Sequence, residues 1–272
     1  MLNFLTRAVT GILFVMTIGA ALYLSPMSYA MIMTCIITLA TNEFCRMSRA
    51  SGQAPHFYIA LSINLVGFML GFLINTAGTD TRVLLVMVGM IWLIFLIELF
   101  SHNEHPFLNI AMTLLCIVYV GLPFALFNLL AFKGEQYDYW PILYLFILCW
   151  VNDTGAYLTG VTMGKHKLME RVSPKKTIEG FIGGILLTLA AAIAVHHFCS
   201  EWIDLPLWFC VVTALVASII GTCGDLIESM FKRSVNIKDS GHMLPGHGGI
   251  LDRFDAVMFV SPIVALLYYF FV

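Results

Sequence analysis

The sequence predicts an all-α, polytopic integral membrane protein of about nine transmembrane helices. Of its 272 residues, 60% are hydrophobic and only 11% are charged, and the mean hydropathy is +0.91. That leaves too little polar surface to cover a soluble domain. The polar residues gather in a few short segments between apolar runs of about 20 residues, the length a bilayer requires. The net charge of −2 says little about partners, but the basic residues fall in short loops and form no long basic face, so no nucleic-acid partner is expected.

Apolar windows place the spans near 7–24, 28–44, 57–75, 82–100, 108–131, 140–162, 178–200, 206–225 and 254–272. The first follows Arg7 and resembles a signal peptide, but no A-x-A-like site follows it, so it is read as a retained helix. Ser25-Pro26 separates it from the second span, whose boundaries are weak. Gly78-Thr79-Asp80 and Lys133-Gly134-Glu135 are turn-forming breaks before the fourth and sixth spans. Glu43 and Glu98 fall near span ends, where their carboxylates are expected to snorkel to water. Seven cysteines, Cys35, Cys45, Cys116, Cys149, Cys199, Cys210 and Cys223, stand singly with no finger spacing. They read as small buried hydrophobes and offer no zinc site.

With nine spans, Arg7, Arg46, Arg49, Lys165, Lys167, Arg171, Lys175, Lys176, Lys232, Arg233, Lys238 and Arg253 share one side, and Arg82 and Lys133 lie opposite. The positive-inside rule makes the crowded side cytoplasmic, with the C-terminus outside. Residues 1–135 are expected to be supporting, lipid-facing helices, and 136–272 to carry the functional loops. GGIL occurs at Gly183 and Gly248 with different flanks, so there is no internal repeat.

Three polar pieces stand out. In the first, from Trp150 to Gly180, Asp153 lies within a span, where a lone carboxylate is costly. Its partner is either a neighbouring helix or a metal or substrate-binding lysine. Ser173-Pro174-Lys175-Lys176-Thr177 is expected to open the seventh span, with Ser173 as cap and Pro174 at the first helical position. Two lysines in a first turn oppose the helix dipole unless an anion sits there; the alternative is anchorage to lipid head groups. The second piece, Gly224-Asp225, is expected at the end of the eighth span. The third, Ser229 to Asp255, crowds Lys232, Arg233, Lys238, Asp239, Asp252, Arg253 and Asp255 around Pro245-Gly246-His247-Gly248-Gly249, which cannot be the interior of a helix or strand. Asp252 and Asp255 share a helix face. Cations, carboxylates and glycines together suit a polyanionic ligand with a metal ion.

The third piece resembles the signature of the CDP-diacylglycerol synthase (phosphatidate cytidylyltransferase) family. In that family S-x-x-K-R precedes K-D, then H-G-G, then D-R-x-D, and every element is present here from Ser229 to Asp255. The S-P-K-K-T-x-E-G run, completed by Glu179 and Gly180, is also shared. Val161, after Gly160, departs from the basic residue of many relatives.

The resemblance implies transfer of the cytidylyl group of CTP to phosphatidate. Asp225, Asp252 and Asp255 would hold Mg²⁺, and Lys232 and Arg233 would act with them in catalysis. Asp153, Ser173, Lys175, Lys176, Thr177, Glu179, Lys238, Asp239, His247, Gly248, Gly249 and Arg253 would bind substrate. A second cation and a homodimer stay open. The implied setting is a bacterial inner membrane among membrane lipids, with the site facing the cytoplasm. Two rival readings are weaker: a secondary transporter of an anionic solute would gather its polar residues at the midplane, and a CDP-alcohol phosphotransferase would carry D-G-x-x-A-R, which is missing.

Overall fold

The computed structural model describes residues 2–201, 203–241 and 248–272, with side chains from Val9 onward. Among them the chain is nearly all helix. In order come α1 (Leu2–Leu24), α2 (Pro26–Ala50), α3 (Phe57–Ala77), α4 (Leu85–Phe100), α5 (Pro106–Cys116) and α6 (Leu122–Ala131). A hairpin follows, formed by β1 (Phe132–Lys133) and β2 (Gln136–Tyr137), and then α7 (Trp140–Met163). A second hairpin, β3 (Lys167–Met169) and β4 (Ser173–Thr177), precedes α8 (Ile178–Phe198), α9 (Leu207–Ser234) and α10 (Leu251–Phe271). A 3₁₀ turn, Thr81–Leu84, leads into α4, and a π-helical turn, Ile117–Gly121, joins α5 to α6 in one apolar stretch.

Among the described residues, seven helical stretches are long and apolar enough to cross a membrane. Nine were expected. Pro26–Ala50, which carries Glu43, Arg46 and Arg49 toward its C-terminal end, is not among the seven, and the part of α1 with described side chains, Val9–Leu24, is a further apolar helix. The expected breaks form as their chemistry requires. Ser25 caps α2, its Oγ accepting from the Ser28 amide at 3.1 Å with Pro26 following. Gly78 ends α3 at φ +58, a left-handed conformation that favours glycine.

The packing divides into two units. One comprises Met1–Asn128, Phe132–Tyr137 and Ser234–Arg253; the other comprises Leu129–Ala131, Asp138–Arg233 and Phe254–Val272. In the first, Tyr29, Phe68, Phe72, Phe132 and Tyr137 form an aromatic cluster with ring centroids 5.4–6.5 Å apart. The Asn128 amide supports it, accepting from the Tyr29 hydroxyl and donating to the Phe68 carbonyl. At the other end of these helices, buried Glu98 accepts from Asn103 and Asn109 and pairs with His56. The loops after α2 and α4 therefore share one end of this unit. Glu98 is 2% exposed and Glu43 is 3% exposed, so neither snorkels to water. Protein donors satisfy both carboxylates in place of solvent.

In the second unit, α7 and α8 form a close antiparallel pair. A Cβ on Gly180 would lie 2.7 Å from the Ala156 carbonyl oxygen, and one on Gly155 would lie 3.3 Å from the Gly184 Cα. Small residues on both helices let the backbones approach at membrane depth. A Cβ on Gly224 would lie 2.7 Å from the Asp255 carbonyl oxygen, so α9 and α10 also meet closely there. Cys45, Cys116, Cys149 and Cys210 are buried as expected, whereas Cys35 and Cys223 are exposed.

Candidate active site

The second unit holds a cavity of about 510 Å³ between the middle of α7, the β3–β4 hairpin, the start of α8 and α9. Its polar wall includes Asp153, Lys167, Lys175, Lys176 and Asp225, and its apolar wall includes Tyr157, Val161 and Phe181. Charged and apolar side chains lining one cavity suit an amphiphile.

The charged wall depends on a corrected local structure. Residues 173–177 do not start a helix; they form β4, paired antiparallel to β3 with Lys167 opposite Thr177 and Met169 opposite Ser173. The cap of α8 is Thr177, whose Oγ1 accepts from the Gly180 amide at 3.1 Å. Ser173 therefore caps nothing, Pro174 is not at a first helical position, and the two lysines precede the helix. Within β4, Lys175 is exposed and Lys176 half-buried. The Lys176 ammonium reaches Asp225 Oδ2 at 2.6 Å.

Asp225 was expected at the end of a span. Instead α9 continues to Ser234, so Asp225 projects from inside the helix and gains nothing from a terminal dipole. The Ser229 hydroxyl donates to its Oδ1 at 3.4 Å. The close approach at Gly224 brings α10 alongside, and Asp255 lies within electrostatic reach of Asp225, Asp153 and Lys176. Asp255 Oδ1 also accepts from the Ala256 amide at 2.7 Å.

Other expected residues are engaged elsewhere. Glu179 closes the turn after α7, accepting from the Lys165 amide at 3.0 Å and from His166 Nδ1 at 2.6 Å. It lies outside the 510 Å³ cavity, as does Ser173. Lys232 pairs with buried Glu228 one turn earlier, and Arg233 is exposed at the end of α9. Neither lines the cavity.

In the first unit, Lys238, Asp239 and Arg253 are exposed. Asp252 Oδ2 accepts from the Ser240 amide at 3.0 Å and the Gly249 amide at 2.8 Å. Gly248 adopts φ +82, and Gly249 is buried. His247 lies outside the described residues.

Among the described residues, no three His, Cys, Asp or Glu side chains converge as an all-protein metal cage. Mg²⁺ does not need one: it binds through one or two carboxylates and completes its shell with phosphate and water oxygens. Asp225 and Asp255, adjacent hard oxygen donors, fit that requirement. Two residues escaped sequence reasoning. Lys167 enters the cavity because the hairpin folds back, and its only signal was the basic run Lys165-His166-Lys167. Glu43, described further below, resembled a span-end acid.

Comparison with known proteins bears on the chemistry. A model described as the cytidylyltransferase family matches residues 5–271. The chain is 41% identical over 207 residues to a phosphatidate cytidylyltransferase of Staphylococcus aureus strain COL, covering 75% of this chain and 77% of the relative. It is 43% identical over 181 residues to one from Staphylococcus haemolyticus strain JCSC1435, covering 66% and 67%.

Proposed function

The chain belongs to the cytidylyltransferase family, and from that premise we propose that the cavity of the second unit is where CTP and phosphatidate react. The protein is a membrane nucleotidyltransferase that makes CDP-diacylglycerol from these two substrates. The observation that carries the site assignment is the Lys176–Asp225 pair at 2.6 Å, in a cavity lined by lysines, carboxylates and apolar side chains.

An oxygen of the phosphatidate phosphate attacks the α-phosphorus of CTP; the bond from that phosphorus to the bridging oxygen breaks, and pyrophosphate leaves with the electron pair. The nucleophile is already anionic, so no strong base is required. The difficulty is holding two anions in line. Lys167, Lys175 and Lys176 supply positive field for the phosphates. Tyr157, Val161 and Phe181 offer the non-polar part of the lipid a surface that excludes water. Asp225 and Asp255 would hold Mg²⁺, which when bound neutralises charge on the phosphates and on the leaving pyrophosphate. Asp252 contributes through the placement of its loop, to which its Oδ2 is committed. The basic residues favour an orientation in which this wall faces the cytoplasm of a bacterial inner membrane.

The test is direct. Purified protein supplied with phosphatidate, CTP and Mg²⁺ is expected to release pyrophosphate and form CDP-diacylglycerol, and chelation is expected to stop both. Full turnover in chelator would remove the metal from this reading. No CDP-lipid from well-folded protein would remove the reaction.

A further inference from the structure

Glu43 sits in α2, nearly 200 residues away in sequence from the segment it holds. Its carboxylate accepts from the Ser240 hydroxyl at 3.0 Å, the Ile250 amide at 3.0 Å and the Leu251 amide at 2.9 Å. Ile250 and Leu251 open α10, where amides have no intrahelical acceptor and a negative charge is favoured. The Ser240 hydroxyl oxygen is also 3.0 Å from Asp252 Oδ2, so its single proton serves one carboxylate at a time. Gly241 and Gly249 fit closely around Glu43: a Cβ at either position would overlap its carboxylate. Residues on both sides of 242–247 are thus gripped by one buried acid from a distant helix.

We infer that Glu43 is a positioning residue for the reaction: it fixes the segment before α10 and, through Ser240, the orientation of Asp252. The inference rests on the functional reading above. A buried carboxylate is costly unless donors satisfy it. Lipid or core packing alone would favour an apolar residue here. The donors it has gathered are two backbone amides and a serine hydroxyl of the signature segment.

The experiment compares Glu43→Gln with Glu98→Gln, a buried acid of the same unit that holds other loops. The primary amide of Gln has one acceptor oxygen, and its NH₂ faces backbone donors it cannot accept from. In Glu43→Gln, kcat is expected to fall on the order of tenfold to a hundredfold, the usual cost of losing a group that supports a metal site, because Glu43 holds the Leu251 amide one turn before Asp255 on α10, and half-saturation by Mg²⁺ should move to higher concentration. Hydrogen exchange of a peptide covering 248–254, measured in metal-free protein, should accelerate while α3 peptides are unchanged. Glu98→Gln is expected to lower Tm and leave kcat per folded molecule unaltered. Ser240→Ala should show a smaller form of the Glu43→Gln pattern, and carries the test if that variant does not fold. Unchanged kcat and Mg²⁺ dependence in folded Glu43→Gln, or exchange that rises uniformly across both units, would overturn the inference. Inactive wild-type protein would refute the functional reading instead, while the exchange measurement would still report whether Glu43 grips the segment.

Discussion

Asp225 carries the most chemistry of any single residue in the cavity, and its pairing with Lys176 explains little about stability. Both side chains are roughly 30% exposed, 27% for Lys176 and 32% for Asp225. A half-exposed ion pair contributes at most about 1 kcal/mol. Lys176→Ala is therefore expected to shift unfolding by less than about 1 kcal/mol, while kcat/KM for CTP falls by about tenfold or more, the effect of removing one charge partner worth at least ~1.4 kcal/mol in the transition state. Thermal unfolding in detergent and steady-state kinetics check the two halves separately; unchanged kinetics would return the lysines to lipid anchoring. Asp225→Asn keeps the size and removes the charge. It should lose activity by about 10²–10³-fold, since a metal contributes several kcal/mol and each ~1.4 kcal/mol is tenfold. It should still fold, because neutralising a half-buried acid lowers its desolvation cost. Near-normal activity in that variant would remove Asp225 from the metal.

Among the elements, the β3–β4 hairpin and the start of α8 decide how the basic run is presented. Thr177 caps the helix and also lines the cavity. Thr177→Val keeps the shape and removes the acceptor, which is expected to cost about 1 kcal/mol, visible as a lower Tm. Gly180 lies one turn on, against the Ala156 carbonyl. Gly180→Leu forces α7 and α8 apart, with an expected cost of about 1–3 kcal/mol from overpacking. Because the cavity lies between these helices, KM should rise with it; a variant as stable and active as wild type would show that the helices can separate freely. Ser-Pro at 173–174 is a good helix opening by local rules. Pairing of β4 with β3 takes those residues first, and helix formation starts at the next competent cap.

For the whole molecule, the prediction concerns orientation. Glu170 in the β3–β4 hairpin and Asp80 after α3 are exposed and belong to opposite sides if the spans alternate as the sequence predicts. In a background without native cysteines, Glu170→Cys should react with a membrane-impermeant thiol reagent only from the cytoplasmic face, and Asp80→Cys only from outside. The reverse pattern would invert the protein and remove its site from the CTP pool. Among the described residues, seven stretches meet the length and apolarity of a span, and they match the last seven of the nine expected. α1 and α2 are the two expected spans outside those seven, and labelling between Ser25 and Pro55 distinguishes a spanning pair from helices held against the other spans.

By itself the sequence determined what depends on composition and local chemistry. Apolar runs of bilayer length can only be helical in lipid, because every backbone amide must find its partner within its own segment. Gly78, Ser25 and Pro26 break the chain where their backbone preferences require it. The clustered Lys, Asp and Gly residues of the signature segments pointed to phosphate and metal chemistry. Only the tertiary structure decided which side chains meet. It placed Asp225 within a helix beside Lys176, brought Lys167 into the cavity, committed Glu179 and Lys232 to local partners, and set Glu43 under the start of α10. Those contacts join residues from 4 to 208 positions apart. The Lys232–Glu228 pair, one turn apart in α9, is open to local preference; the others depend on how the chain folds back and on which buried polar group must be satisfied when it does.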